Sequence, residues 1–142
     1  MSGTEQSNDR QDDEISFEHG RVDVDKLQRF LSQTYWAEGR MLATVQVSLT
    51  HSLVVSAHRD GEMIGFARAA SDRAVFAHIM DVVVWPEHRG RGLGRRLVAA
   101  LLAHPELATV THWYLRTRDA HGLYAGLGFE AVDDGYDMRL VK

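Results

Sequence analysis

The sequence predicts one α/β domain of the α+β kind, built on a central mixed, mostly antiparallel sheet of six or seven strands with about four helices. Three observations point there. Two apolar runs, Leu53 to His58 and Met63 to Ala70, flank Asp60-Gly61, a dipeptide suited to the tight turn between antiparallel strands. Val75 to Trp85 is long and nearly continuously apolar, the mark of a strand covered on both faces. Glycines at 90, 92 and 94 follow it and lead into Leu93, Leu97, Val98, Leu101 and Leu102, which fall at helical spacing.

Taken in order, residues 1–13 are polar and acidic without periodicity. They cannot bury enough surface to offset the entropy of ordering them, so they read as a flexible tail before a domain over 14–142. Ile15 to Glu18 reads as a short strand, and Val24, Leu27, Phe30 and Leu31 as the apolar face of a first helix that starts at Asp23 or Asp25. Tyr35-Trp36-Ala37-Glu38-Gly39-Arg40 breaks that pattern. Met41 to Thr50 fits helix or strand, because Val45, Val47 and Leu49 satisfy both, and a second short helix is the preferred reading. After the hairpin, Ser71-Asp72-Arg73 marks a turn into the long strand, which Pro86 closes. The helix after the glycines ends near His104-Pro105. Trp113 to Thr117 is a further strand, Asp119 to Ala125 a short helix, and Phe129 to Val132 with Tyr136 to Val141 a closing pair around Asp134-Gly135.

A chain of 142 residues, 44% hydrophobic and 25% charged, is right for one packed core. The net charge of -4 offers no general surface for releasing counterions from nucleic acid, and no nucleic-acid partner is expected. With no cysteine there are no disulfides, no thiolate metal sites and no acyl-cysteine intermediate. The first residues hold no apolar stretch resembling a signal peptide, and no segment approaches the roughly 20 apolar residues of a membrane span. The expectation is a cytoplasmic protein with no membrane partner.

The segment Arg89-Gly90-Arg91-Gly92-Leu93-Gly94-Arg95 lies between the long strand and a helix. Its main-chain amides converge at the positive end of a helix dipole, where an anion is stabilised. The glycines let the backbone approach that anion, and the three arginines can add charge at its rim, a description that fits a pyrophosphate. A tight connection with solvated arginines would look the same locally. A P-loop is excluded because no Gly-Lys-Ser/Thr follows, and the spacing is shorter than the dinucleotide-binding G-x-G-x-x-G.

Val82-Val83-Val84-Trp85-Pro86-Glu87-His88-Arg89-Gly90-Arg91-Gly92-Leu93-Gly94 resembles the coenzyme A signature of the GNAT acetyltransferase superfamily, R-x-x-G-x-G after a strand ending in x-V-x-P. Downstream, Ala120, Tyr124, Gly128 and Phe129 match the family's A-x-x-x-Y-x-x-x-G-F segment, and nearly all of the ordered chain is covered. The resemblance implies a GNAT-like sheet splayed at the cofactor site, with acetyl-coenzyme A as cosubstrate. The backbone of Val82, Val83 and Val84 would pair with the pantetheine arm, and Gly90 to Arg95 would hold the pyrophosphate. A main-chain amide at or near Val83 would polarise the thioester carbonyl. By the same resemblance Tyr124 protonates the departing thiolate. Where the family often has asparagine seven residues before this tyrosine, the chain has Thr117, a single short hydroxyl instead of an amide.

An alkyl amine with a pKa near 10 is unprotonated in only about one molecule per thousand at neutral pH, so a base is useful. Asp81, immediately before the valines, is the first candidate, with Asp72, His78 and Glu87 in reserve. The resemblance also assigns the loop between the first two helices to the acceptor pocket. There Tyr35 and Trp36 could stack on a substrate or cap a cation, and Arg40 could bind a carboxylate, while Asp72 and His78 complete the acceptor candidates. Eight histidines include no helical metal-binding pair, and no metal is assigned. The expected activity is direct transfer of an acetyl group to a primary amine, on a small molecule or peptide, without a covalent enzyme intermediate. The alternatives are a non-catalytic module that senses coenzyme A or binds a partner, and a transferase for another acyl group. A homodimer is carried as an expectation from the resemblance.

Overall fold

The computed structural model describes residues 13–142. Strand β1 (Glu14–Ser16) precedes helices α1 (Val24–Leu31) and α2 (Leu42–Thr50), then β2 (Leu53–Arg59), β3 (Glu62–Ser71) and β4 (Phe76–Val84). Helix α3 (Leu93–Leu102), strand β5 (His112–Tyr114) and helix α4 (His121–Ala125) follow. The five strands form one sheet in sequence order, antiparallel except for the parallel pair β4 and β5. The described residues thus contain the mixed, mostly antiparallel sheet and four α-helices that the sequence predicts, with fewer strands.

The sheet is covered on both faces. On one, Leu93, Leu97 and Leu101 of α3 pack on Leu53, Val55, Ile64 and Ala67. Gly65 permits this close approach, since a Cβ there would lie 2.9 Å from Leu97 Cδ1. On the other face Leu27 and Leu31 of α1 and Val45 and Leu49 of α2 enclose Val54, Phe66 and Val83. Each such leucine, taken fully out of water, contributes about 2 kcal/mol before entropy is counted. Helix α1 begins where the Asp23 carboxylate accepts from the Lys26 amide at 3.1 Å, a side-chain cap on the first turn.

Strand β4 carries the feature on which the site depends. Phe66 pairs with Val83 and Arg68 with Met80, so that Ala67 alone stands opposite Asp81 and Val82. This is a β-bulge, and Asp81 adopts a left-handed φ of 54° within it. The extra residue changes which face the later side chains meet: Ala77 packs on the α3 side and Val83 on the α1 and α2 side, although six residues of regular strand would leave them on the same side.

Two sequence expectations change. The closing pair of strands at Phe129 to Val132 and Tyr136 to Val141 does not form; this stretch has no ladder partner among the described residues, and Met138 is 97% exposed. Turn residues and alternation are present there, but nothing covers the apolar side chains. Asp13, assigned to the tail, is buried and ion-paired to Arg59 at 2.7 Å, with Arg91 and Arg96 beside it at 3.5 and 3.7 Å. The rest of the proposed tail, residues 1–12, lies outside the described residues. No described helix is long and apolar enough to cross a membrane.

Candidate active site

The glycine segment makes the mouth of α3. A short 3₁₀ turn at Pro86–His88 ends β4, and Gly90 and Gly92 then take φ of 81° and 78°, values that favour glycine. Gly92 is the N-cap residue, and no side chain accepts from the first-turn amides. Gly94 has no such φ; it is buried within the first turn, where a Cβ would stand 3.7 Å from Val84 and Leu123. Leu93 is turned into the core. The arginines brace the loop: Arg89 Nε donates to the Val84 carbonyl at 3.0 Å, Arg91 faces His88 and Asp13, and Arg95 donates to the Gly126 carbonyl at 3.1 Å.

Beside this mouth the sheet opens. β4 pairs with β5 only from Phe76 to His78, against His112 to Tyr114. Beyond that register Val82, Val83 and Val84 keep their β3 side and have no strand on the other among the described residues. A cleft of about 840 Å³ lies here, lined among others by Trp36, Arg40, His78, Asp81, Arg116 and Tyr124, in the size range of small-molecule sites.

Asp81 is held on the cleft wall by three donors. Its carboxylate accepts from Trp36 Nε1 at 2.9 Å, Arg40 Nη1 at 2.9 Å and Arg68 Nε at 2.7 Å. Arg68 also reaches the Ser52 hydroxyl at 3.2 Å. Three donors, two of them guanidinium groups, already engage this buried carboxylate, so Asp81 is not the free base that its sequence position implies. It is an anchor, tying the 32–41 loop to the bulge. That loop brings Tyr35, Trp36 and Arg40 to the cleft wall, with Tyr35 edge-on to Trp36 and under the Arg118 guanidinium at 3.8 Å.

His78 and Tyr124 also line the cleft. Burial, followed by the charges of Arg68 and Arg116, pushes the His78 imidazole below its ordinary value, so at neutral pH it is a neutral base. Its ring makes no hydrogen bond among the described residues. Burial, with Tyr35 and Asp119, pushes the Tyr124 hydroxyl up, so its proton stays on; Phe129 stacks edge-on against the ring at 6.0 Å. Thr117 lines the same cleft, but its hydroxyl accepts from the Ala120 amide at 3.0 Å and so shapes the entrance to α4.

Two candidates are not brought here. Asp72 closes the β3–β4 turn, accepting from the amides of Ala74 and Val75 at 2.9 Å and Phe76 at 3.1 Å. It is a turn residue, not an acceptor contact. Glu87 sits in the 3₁₀ turn at the other end of β4. Conversely, Arg68, Arg116, Arg118 and Arg139 were not singled out by sequence. Arg68 could have been, as a charged residue inside the apolar run Met63 to Ala70. No group of three metal-ligating side chains occurs among the described residues.

Comparisons with known proteins converge on one family. Residues 50–131 match a family model described as an acetyltransferase (GNAT) domain. A crystal structure from Xanthomonas campestris pv. campestris, of a protein described as belonging to the GNAT family, superposes with a TM-score of 0.86 at 42% identity, covering 91% of this chain and 93% of that one. An uncharacterized N-acetyltransferase, ycf52, of Porphyra purpurea is 31% identical over 80% of this chain and 68% of its own. The histone acetyltransferase TAP1 of Glycine max is also 31% identical, over 82% of this chain and 55% of its own.

Proposed function

The chain belongs to the GNAT acetyltransferase family, and from that premise we propose that it moves an acetyl group from acetyl-coenzyme A to a primary amine by direct attack in a ternary complex. The observation that carries the reading is a pairing: an uncapped α3 N-terminus at the end of β4, and a β4 bulge that parts this strand from β5. The amides at Gly92 to Gly94 suit a diphosphate. The unpaired edge of Val82, Val83 and Val84 suits an extended amide-bearing arm, and one of these amides serves as the carbonyl's hydrogen-bond donor.

In this scheme His78 takes the proton that the ammonium sheds. The amine nitrogen attacks the carbonyl carbon, the C–N bond forms and the C–S bond breaks. The second nitrogen proton leaves to water. Tyr124, whose proton burial holds in place, donates its hydroxyl proton to the departing sulfur and is restored from solvent. Asp81 holds Trp36 and Arg40 in place and takes no proton. Nothing in the scheme calls for a metal.

Calorimetry with coenzyme A, and thiol release from acetyl-coenzyme A across an amine panel, test this reading. Binding with amine-dependent release is expected, and Tyr124→Phe should lower kcat by about a hundredfold while leaving the KM for acetyl-coenzyme A within a factor of about two. Release that survives Tyr124→Phe unchanged removes the general acid. Binding without release from any amine would instead identify a non-catalytic module on this fold.

A further inference from the structure

The cleft that contains His78 and Tyr124 holds more positive charge than its own acids balance. Arg40, Arg116, Arg118 and Arg139 line it, against Asp81 and Asp119. Asp81 is already shared between Arg40 and Arg68. Arg118 lies over the Tyr35 ring, a contact that holds the guanidinium plane without neutralising its charge. Arg116 and Arg139 make no ion pair or hydrogen bond among the described residues. Arg116 and Arg139 also face the adjoining groove, whose lining adds Glu130 and Asp137; those two acids do not line this cleft and make no ion pair with either arginine among the described residues.

This charge is set apart from the diphosphate-binding mouth. His78 and Asp81 lie six and three residues before Val84, so at the rise of a strand they stand about 20 and 10 Å back along β4 from Val84, where the strand ends ahead of the glycine segment. The arginines come from the α1–α2 loop, from the stretch after β5 and from the C-terminal segment. They surround the end of the gap at which an acceptor must meet the thioester.

We propose that this cleft selects an acceptor amine that itself carries an anion, a carboxylate or a phosphate a few bonds from the nitrogen, gripped by the exposed Arg116 and Arg139, with Arg118 and the part-buried Arg40 beside them. The proposal rests on the acetyl-transfer reading above and names its substrate class. Clustered guanidinium groups in a partly enclosed space repel one another, and an anion relieves that repulsion through charge-assisted, bidentate bonds. A polyamine or a lysine-rich peptide meets like charge instead. The same field disfavours the ammonium form of a bound acceptor, which raises the share of free amine available for attack.

The test compares kcat/KM for amines matched in pairs: n-butylamine with 4-aminobutyrate, 1,5-diaminopentane with lysine, and ethanolamine with its phosphate ester, with spermidine as the polycation. The anion-bearing member of at least one pair should be favoured about tenfold or more, the size of one or two charge-assisted bonds, and the carboxylate and phosphate pairs distinguish the two anions. Arg116→Glu and Arg139→Glu should collapse or invert that ratio while the KM for acetyl-coenzyme A moves by no more than a factor of about two. Equal or better use of the neutral and cationic members overturns the proposal. So does a charge reversal that raises the KM for acetyl-coenzyme A and leaves the ratio alone, because it gives the arginines to the cofactor. If the parent protein neither binds coenzyme A nor releases thiol with any amine, the acetyl-transfer reading itself fails and takes this one with it.

Discussion

His78 and Asp81 share one stretch of β4 and have been given opposite tasks by their surroundings. Asp81 accepts from Trp36, Arg40 and Arg68, and its left-handed backbone turns it towards them. His78 has Arg68 on β3 and Arg116 beyond β5 near it, no hydrogen-bond partner among the described residues, and a titration pushed below the ordinary 6.5 by burial and then by those two charges. The sign follows directly. A base must be neutral to work, so kcat/KM should rise with pH through the depressed His78 titration and be past it at neutrality, leaving an acid limb below 6.5. His78→Gln should cut the rate by about a hundredfold and remove that limb. A pH profile unchanged by the substitution would return the role of base to water or to another group. Part of this cleft's lining was legible through the resemblance: Tyr124 by its motif, and Tyr35, Trp36 and Arg40 because it assigns the loop between the first two helices to the acceptor pocket. The use of Asp81 was not, because its partners lie 41, 45 and 13 residues away in sequence. Arg139 was hidden for a different reason, standing in a stretch that reads as a strand.

At the scale of elements, the mouth of α3 and the bulge of β4 are the parts that position chemistry. Gly92 takes a φ of 78° with nothing within 4 Å of the place a Cβ would occupy. Gly92→Glu therefore pays for the left-handed backbone, about 1 kcal/mol of stability, and sets a carboxylate beside the amides that await a diphosphate. Coenzyme A affinity measured by calorimetry should fall by about tenfold or more, with the urea midpoint only slightly lowered. An unchanged affinity would show that the diphosphate is held elsewhere. The hairpin, β4 and α3 were readable because period, turn dipeptide and glycines agree. α2 was ambiguous locally, and packing decided it: Val45 and Leu49, four apart, are buried, while Val47 is 60% exposed, which is helical and not alternating burial. The bulge leaves no trace in composition, since one extra residue in an apolar run looks like a longer strand. β5 is shorter than its apolar pattern implies because the chain leaves the sheet where the cleft begins.

At the scale of the molecule, the residues that carry the fold stop short of those that finish the cleft. The two cores on either face of the sheet draw on α1, α2, α3 and the strands, and include no residue after Trp113. The last stretch pairs with no strand and leaves Tyr136, Met138 and Leu140 exposed in strand-like alternation, yet Arg139 within it lines the cleft. The homodimer expected from the resemblance would offer these side chains cover, but the single chain already assigns the stretch a role. A chain ending at Ala131, where the family match also ends, loses Arg139 and little buried surface. Its unfolding free energy in urea should lie within about 0.5 kcal/mol of the parent, as for changes confined to a surface. The same truncation should raise the KM for anion-bearing amines about tenfold, because one guanidinium of the cleft is gone. A large loss of stability would mean that the segment is packed in solution, either on this sheet or on a second copy, and sedimentation at matched concentrations would tell these apart, since only the second makes the loss depend on protein concentration.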